Sequence, residues 1–236
     1  MKSLLKTLLG DRILGQIDYI FDRPGRDPWN GAFNGQTARQ QIFLDLVKRF
    51  QFQAIAETGT FLGVTTLFLA RTKLPVYTVE ANPRFHAFAQ MRFRAYRNQI
   101  HLYGGDSRAF LNRLHTLDEI PRSKIFFYLD AHWEADLPLC EELDIIFQHW
   151  ADAVVLVDDF QVPSTTYGYD DYGPGKALTL EYLKPIEHLS LQPYFPTVGP
   201  DQESGQKRGW VVLGKSEAVK TVLASMDSLR VWHPVS

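Results

Sequence analysis

Short apolar runs alternate with helical stretches through the middle of the chain, and this alternation restricts the possible folds more than any other feature. The apolar runs have the length and composition of buried strands and lie at 52–56, 76–79, 100–103, 125–129 and 153–157. The helical stretches between them lie at about 63–71, 83–97, 107–116 and 137–149. Alternating strands and helices predict βαβ units and a parallel sheet with both faces covered. Because crossovers are right-handed, a doubly wound, Rossmann-like α/β fold is favoured.

The last part of the chain breaks this alternation. Strand-like runs at 190–197 and 209–214 are separated only by the polar loop 198–208. Because no helix fits between these two strands, we expect them to be antiparallel. The predicted architecture is therefore a mostly parallel, seven-stranded sheet that ends in a C-terminal antiparallel hairpin, an arrangement associated with methyltransferases rather than dehydrogenases.

The segment before the sheet is predicted to form a helical cap, with domain boundaries at 1–50 for the cap and 51–236 for the sheet, in one compact unit. The cap contains an amphipathic stretch, a loop at 23–36 that is rich in Gly, Pro and Asn, and a helix at 37–50. Charged residues interrupt the amphipathic stretch too often for a signal sequence or a membrane span. We expect it to cover the core or a partner in a homodimer, with attachment to a membrane surface as the alternative.

Charge and cysteine content argue against several functional classes. The formal net charge of −2 is not that of a dedicated nucleic-acid-binding protein, which needs a basic face. The single cysteine, Cys140, cannot form an intramolecular disulfide, and no Cys/His cluster has zinc-ligand spacing. These observations favour a cytoplasmic protein that acts on a small molecule.

The residues that follow the first three predicted strands point to a cofactor, because open α/β sheets bind ligands at the carboxyl ends of their strands. The first strand leads into the sequence ETGTFLG, which contains Glu57, Thr58, Gly59 and Gly63. Glu80 ends the second strand, 23 residues after Glu57, a separation at which an acid can accept both hydrogen bonds of a ribose diol. Asp106 and Ser107 follow the third strand and suit an adenine amino group.

The first turn departs from the Gly-x-Gly-x-x-Gly fingerprint of dinucleotide-binding proteins, since Thr58 and Phe61 stand where that spacing requires glycine. The sequences ETGTFLG, VE and GDS together resemble motifs I, II and III of the class I S-adenosylmethionine (SAM)-dependent methyltransferases, over roughly residues 52–215. The resemblance implies that Glu57 and Gly59 lie near the methionine portion of SAM, that Glu80 holds the ribose, and that Asp106 and Ser107 face the adenine. Three further residues complete the predicted cofactor site: Thr58, Gly63 and Asp130.

Three aspartates follow the fourth and fifth predicted strands, namely Asp130, Asp158 and Asp159. Neighbouring strands would bring these carboxylates together, and a divalent cation such as Mg²⁺ would relieve their repulsion. The arrangement resembles that of the metal-dependent O-methyltransferases of the catechol, caffeoyl-CoA and macrolide-sugar types. The resemblance implies that the three aspartates bind the metal and that Asp130 takes part in catalysis. No lysine lies at 130–133, so His132 is the predicted base in place of the usual lysine.

Two loops are candidates for the acceptor site. The long loop 161–176 carries Tyr167, Tyr169 and Tyr172, which could stack on a flat or sugar-like substrate. The loop 27–36 carries Trp29 and could close from the other side. These loops favour O-methylation of a hydroxyl on a small polyhydroxylated molecule, such as a sugar, a glycoside or a catechol-like compound.

Three other functions fit parts of the sequence. A nicotinamide-dependent oxidoreductase is disfavoured by the missing phosphate fingerprint. A non-catalytic SAM-fold binding protein is disfavoured by the intact acids after the strands. The strongest alternative is a metal-independent methyltransferase whose acceptor is nitrogen or carbon.

Overall fold

The computed structural model describes residues 10–21, 28–132 and 136–233. Within these ranges eight strands form one sheet in the order β3-β2-β1-β4-β5-β7-β6-β8. The strands are β1 (Ala54–Thr58), β2 (Val76–Glu80), β3 (Ile100–Gly104), β4 (Ile125–Leu129), β5 (Val154–Asp158), β6 (Gln192–Pro196), β7 (Trp210–Gly214) and β8 (Leu229–Val231). The helices are α1 (Asp11–Phe21), α2 (Thr37–Phe50), α3 (Val64–Leu69), α4 (Pro83–Arg92), α5 (Ser107–Leu114), α6 (Leu139–His149) and α7 (Glu217–Ala224), with a 3-10 helix at Glu181–Leu189.

The sheet is parallel from β3 to β5 and antiparallel beyond it, which confirms the predicted Rossmann-like architecture and its C-terminal hairpin of β6 and β7. The predicted number of strands was wrong, because β8 adds an eighth strand that pairs antiparallel with β6. This strand has only three residues, and only Leu229 among them is buried. A strand so short shows no periodicity from which it could be predicted.

The five central strands are buried along their whole length, as expected for a sheet covered on both faces. Helices α5 and α6 cover one face, while α2, α3, α4 and α7 cover the other. Side chains of one strand alternate between these layers: Phe127 packs in the first, and Phe126 in the second against Phe43 of α2. The register aligns Thr58 with Leu129, so the turns after β1 and β4 lie side by side at the carboxyl ends of these two strands.

Helix α1 packs across α4 rather than on the sheet. Gly15 is so close to α4 that a Cβ atom there would lie 2.0 Å from the carbonyl oxygen of Arg84. Asp18 accepts two hydrogen bonds from the Arg84 guanidinium, at 2.5 and 2.9 Å. Residues 1–9, in the predicted amphipathic stretch, lie outside the described residues, as do residue 22 and residues 23–27 of the predicted loop. No helix in the described parts of the chain is long and apolar enough to cross a membrane.

Candidate functional site

The turn between β1 and α3 requires glycine at two positions. Gly59 and Gly63 have φ angles of 83° and 75°, in the left-handed region that side chains disfavour. A Cβ atom on Gly59 would lie 2.1 Å from the carbonyl oxygen of Asp130, and one on Gly63 would lie 2.4 Å from the ring of Phe93. The two glycines therefore let the turn pack directly against the end of β4 and against Phe93.

Glu57, at the end of β1, is buried beneath this turn. Its Oε2 atom accepts hydrogen bonds from the hydroxyls of Thr66 and Thr78, at 2.5 and 2.6 Å. Burial raises the pKa of Glu57 to about 7, and the two hydroxyl donors offset part of that rise. In this structure Glu57 links β1 to β2 and to α3, so its carboxyl group supports the turn from below.

Glu80, at the end of β2, faces the same turn from the other side. Its two carboxylate oxygens accept the backbone N–H groups of Phe61 and Asn82, at 2.6 and 2.8 Å. The side chain is buried, and this burial raises its pKa. A carboxylate offers about four acceptor positions, so Glu80 can still bind hydroxyl donors beside the glycine turn.

Asp106 and Ser107 begin α5 as expected, but each has protein partners. Asp106 caps the helix by accepting the N–H of Ala109 at 3.1 Å, and it also pairs with Arg108, which lowers its pKa. Ser107 is buried beside Glu142 of α6, and its hydroxyl stabilises the Glu142 carboxylate. Glu142 was missed in the sequence because an acid in the first turn of a helix is indistinguishable there from a solvated one.

Burial of Glu142 gives a testable dependence of stability on pH. Burial raises its pKa from 4.5 to about 7, so the folded protein prefers the protonated carboxyl group. The contribution of Glu142 to the unfolding free energy of the wild type is therefore highest below pH 4.5. It falls as the pH rises to about 7 and is constant above that. We expect Glu142→Gln to remove this loss, which amounts to about 3 kcal/mol of unfolding free energy.

Urea unfolding of the wild type and Glu142→Gln at pH 5 and pH 8 measures this effect. The adjacent, largely exposed Glu141 provides the control, and Glu141→Gln should leave the pH dependence unchanged. A stability difference between the wild type and Glu142→Gln that stays constant from pH 5 to pH 8 would show that this carboxyl group is not buried in solution.

Asp130, His132 and Asp159 come together at the ends of β4 and β5. One potential ligand atom from each of the three lies within 4.8 Å of the other two. The His132 side chain is only 3% exposed, and its Nε2 atom lies 3.8 Å from Oδ1 of Asp130. This nitrogen has no hydrogen-bond partner among the described residues, and burial lowers the pKa of the imidazole. The arrangement is that of a neutral imidazole facing two carboxylates.

Asp158 lies outside this group of three and has protein partners of its own, so its role as a metal ligand stays a prediction. The buried Arg39 of α2 forms an ion pair with Asp158 at 2.6 Å, and Tyr128 donates its hydroxyl to the same carboxylate. The N–H of Asp159 and the side-chain amide of Asn34 also donate to it, at 2.7 and 3.3 Å. With three hydrogen-bond donors and the Arg39 cation around it, the Asp158 carboxylate has little remaining capacity to bind a metal.

Arg208 holds two further acids at the edge of the cluster. Its guanidinium donates to Asp159 at 2.6 Å and to Asp170. Tyr172 donates its hydroxyl to the other oxygen of Asp170, at 2.6 Å. Burial and the neighbouring Asp158 carboxylate raise the pKa of Asp159 to about 7, while the pKa of Asp130 rises for the same two reasons. The region is therefore short of positive charge despite its two arginines.

The predicted acceptor loops are only partly available. Tyr167 is 4% exposed and donates its hydroxyl to the carbonyl of Val198 at 3.0 Å, so its ring packs in the core in this structure. Tyr169 and Tyr172 are half-buried, and Trp29 is 57% exposed on the opposite loop. The side-chain amide of Asn34 on that loop also donates to Asp158, so the loop covers the end of β5.

Comparisons with known proteins show which proteins share this fold. No family model matches the sequence, and no curated protein matches it. Among solved structures, an O-methyltransferase from Bacillus cereus in complex with S-adenosylhomocysteine (SAH) has a TM-score of 0.57 at 14% identity, over 91% of this chain and 96% of that one. The chain has the fold of the SAM-dependent O-methyltransferases.

Two further structures agree with this assignment of the fold. The O-methyltransferase TomG from Streptomyces achromogenes, involved in tomaymycin synthesis and solved with SAM, has a TM-score of 0.55 at 18% identity, over 86% of this chain and 87% of that one. A putative O-methyltransferase from Klebsiella pneumoniae has a TM-score of 0.54 at 18% identity, over 91% and 95%. The resemblance predicted from the motifs ETGTFLG, VE and GDS is confirmed at the level of the fold.

Proposed function

We propose that this protein is a SAM-dependent O-methyltransferase that binds its acceptor beside a divalent-cation site. One observation carries the proposal: the turn that marks a cofactor site and the cluster of ligand atoms meet at one residue. Gly59 of the turn packs against the backbone of Asp130, and the Asp130 side chain joins His132 and Asp159. A methyl donor bound at the turn would therefore adjoin an acceptor bound at the cluster.

The residues around the turn suit SAM. Glu80 has acceptor capacity for the ribose hydroxyls, and Ser107 with Asp106 lies beyond the next strand, where the adenine is expected. SAM supplies a methyl group on a positively charged sulfur, and the acidic cluster next to the turn favours positive charge there. The chain itself positions the donor and the acceptor, and this is the main contribution expected of the protein in such a transfer.

The charge balance of the cluster supports a cation. Four carboxyl groups face two guanidiniums, those of Arg39 and Arg208, so full ionisation of all four would leave two uncompensated negative charges beside a neutral imidazole. Asp130, His132 and Asp159 are the groups that would hold a divalent ion. Such an ion would lower the pKa of an acceptor hydroxyl. Among the residues of this chain, His132 would take the hydroxyl proton where its Nε2 atom is free, and the solvent would take it where that atom binds the ion.

We infer that the acceptor is a small polyhydroxylated molecule, such as a sugar, a glycoside or a catechol-like compound. Adjacent hydroxyls on one molecule can occupy two positions of a cation site, which fixes the orientation of the reacting oxygen. The half-buried Tyr169 and Tyr172 lie on the loop that carries Asp170, where a ring could stack and a hydroxyl could donate. A metal-independent methyltransferase is the second candidate, because Arg39 and Arg208 already neutralise part of the cluster.

The first test of this proposal is calorimetric titration with SAH. We expect the wild type to bind SAH, and Glu80→Gln to lose at least about tenfold in affinity because one charged acceptor of hydrogen bonds is removed. Glu217→Gln, on the exposed face of α7, is the matched control and should bind as the wild type does. Melting temperatures of both variants show whether the turn stays folded. A wild type that does not bind SAH would refute the proposed activity.

A further inference from the structure

We propose that the cation site takes the Nε2 atom of His132 as a ligand, and that it therefore selects a first-row transition-metal ion such as Mn²⁺ over Mg²⁺. This inference rests on the proposed function of the same site, and it replaces the magnesium expected from an all-aspartate set. It depends on which ligand atoms near the cluster are free and which are already occupied.

The imidazole of His132 is buried and faces the cluster without a partner. Its Nε2 atom lies 3.8 Å from Asp130 and 3.7 Å from Asp170, which are both too long for a hydrogen bond. No other hydrogen-bond partner for this atom exists among the described residues. Burying a polar nitrogen without a partner is unfavourable, so a bound ion would satisfy a group that the fold leaves unsatisfied.

The oxygen ligands available to an ion are fewer than the number of aspartates indicates. Asp158 accepts hydrogen bonds from Tyr128, from the N–H of Asp159 and from Asn34, and it also forms an ion pair with Arg39. Asp170 is held through one oxygen by Arg208 and through the other by Tyr172. Asp130 and Asp159 remain. Arg208 donates to one oxygen of Asp159, and the single hydroxyl hydrogen of Tyr128 goes to Asp158 rather than to Asp130, whose Oδ2 atom is 3.3 Å away.

The resulting ligand set is two carboxylates and one imidazole. Mg²⁺ prefers oxygen ligands in near-ideal octahedral geometry and is seldom bound through nitrogen. Imidazole is a usual ligand of Fe²⁺, Ni²⁺, Cu²⁺ and Zn²⁺, whereas Mn²⁺, the weakest binder of the first-row series, shares the preference of Mg²⁺ for carboxylates. An imidazole in the ligand set therefore favours the first-row transition metals over Mg²⁺, and Mn²⁺ by the smallest margin. Because the imidazole of His132 takes the place of the Asp158 carboxylate in this set, we expect the site to prefer a first-row transition-metal ion to Mg²⁺.

The test compares Mn²⁺ and Mg²⁺ on the full-length, metal-free protein with SAH present. By calorimetry we expect Mn²⁺ to bind at least about tenfold more tightly than Mg²⁺, and His132→Gln to bring the two affinities to within about threefold of each other. Pulsed electron paramagnetic resonance of the Mn²⁺-loaded wild type is expected to show coupling to an imidazole nitrogen, which His132→Gln removes. The matched control is His188→Gln, which alters an exposed histidine 3.3 Å from Asp144 and should change neither result.

Each outcome decides the inference. Nitrogen coupling in the wild type supports it even if His132→Gln does not fold. Equal affinity for the two ions, or bound Mn²⁺ without nitrogen coupling, would overturn it and leave the methyltransferase proposal in place. SAH binding without any cation binding would also overturn it, in favour of the metal-independent candidate. If SAH does not bind, the proposed function fails, while cation binding still decides the ligand set.

Discussion

Replacing Arg39 with methionine is expected to lower the free energy of unfolding by about 3–5 kcal/mol, because it leaves the carboxylate of Asp158 buried without its countercharge. Arg39 is fully buried and pairs with Asp158 at 2.6 Å. Its guanidinium also lies over the rings of Phe33, Tyr128 and Trp210, at 5.2 to 5.8 Å, so the planar cation is packed as well as paired. Urea unfolding followed by circular dichroism measures the change.

Arg49→Met is the matched control, since Arg49 lies on the same helix but is exposed. It should change the unfolding free energy by less than about 0.5 kcal/mol. Adding Asp158→Asn to Arg39→Met should recover part of the loss, because it removes the charge that the first substitution leaves unpaired. A loss of less than about 1 kcal/mol in Arg39→Met alone would mean that the pair is hydrated in solution.

Gly59→Ala is expected to reduce SAH affinity by at least about 100-fold and to destabilise the fold. The new Cβ atom would lie 2.1 Å from the carbonyl oxygen of Asp130, which is backbone and cannot rotate away. The turn after β1 must therefore move away from β4, which separates the proposed cofactor site from Asp130. Such overpacking lowers the free energy of unfolding by about 1–3 kcal/mol in addition to the strain of a positive φ angle.

The control variant Gly175→Ala separates the effect of the steric clash from the effect of backbone strain. Gly175 has a φ angle of 72° and nothing within 4 Å of the position of a Cβ atom, so its substitution imposes backbone strain without a clash. We expect Gly175→Ala to be the more stable variant and to keep its affinity for SAH, as measured by thermal unfolding and calorimetry. Equal losses of stability and affinity in the two variants would contradict the close contact between the turn and β4.

Most of the sheet could be predicted from local pattern. The central strands are continuous apolar runs because both faces are covered, so β4 was predicted at its observed bounds and the other strands within about two residues. The edge of the sheet behaves differently. Strand β8 is short and half-exposed, and it depends on pairing with β6 for its structure. Such a strand is determined by its tertiary neighbour rather than by its own composition.

Only those parts of the site that follow from the order of the strands could be predicted. Asp130 and Asp159 were expected to lie close together because they follow the carboxyl ends of neighbouring strands, and the structure brings them together. The partner of Asp158 could not be predicted, because Arg39 lies in an otherwise ordinary amphipathic helix far away in the sequence. Tyr167 shows the same limit: its loop position suggested exposure, whereas a contact with the distant Val198 buries it.

The loop before α2 has a consequence for the order in which the protein folds. Gln36 donates to the carbonyl of Arg208, and Thr37 donates to Ser204, across 172 and 167 residues of sequence. Contacts of such high contact order form late, since their loop-closure entropy must be overcome before they contribute stability. The βαβ units can form locally as the chain emerges, whereas the loop before α2, which carries Asn34 to Asp158, is held by residues 204–208 near the other end of the chain. Competence for ligand binding is therefore acquired after the sheet is complete, and a nascent chain that stops short of Ser204 would have helices and strands without a finished site.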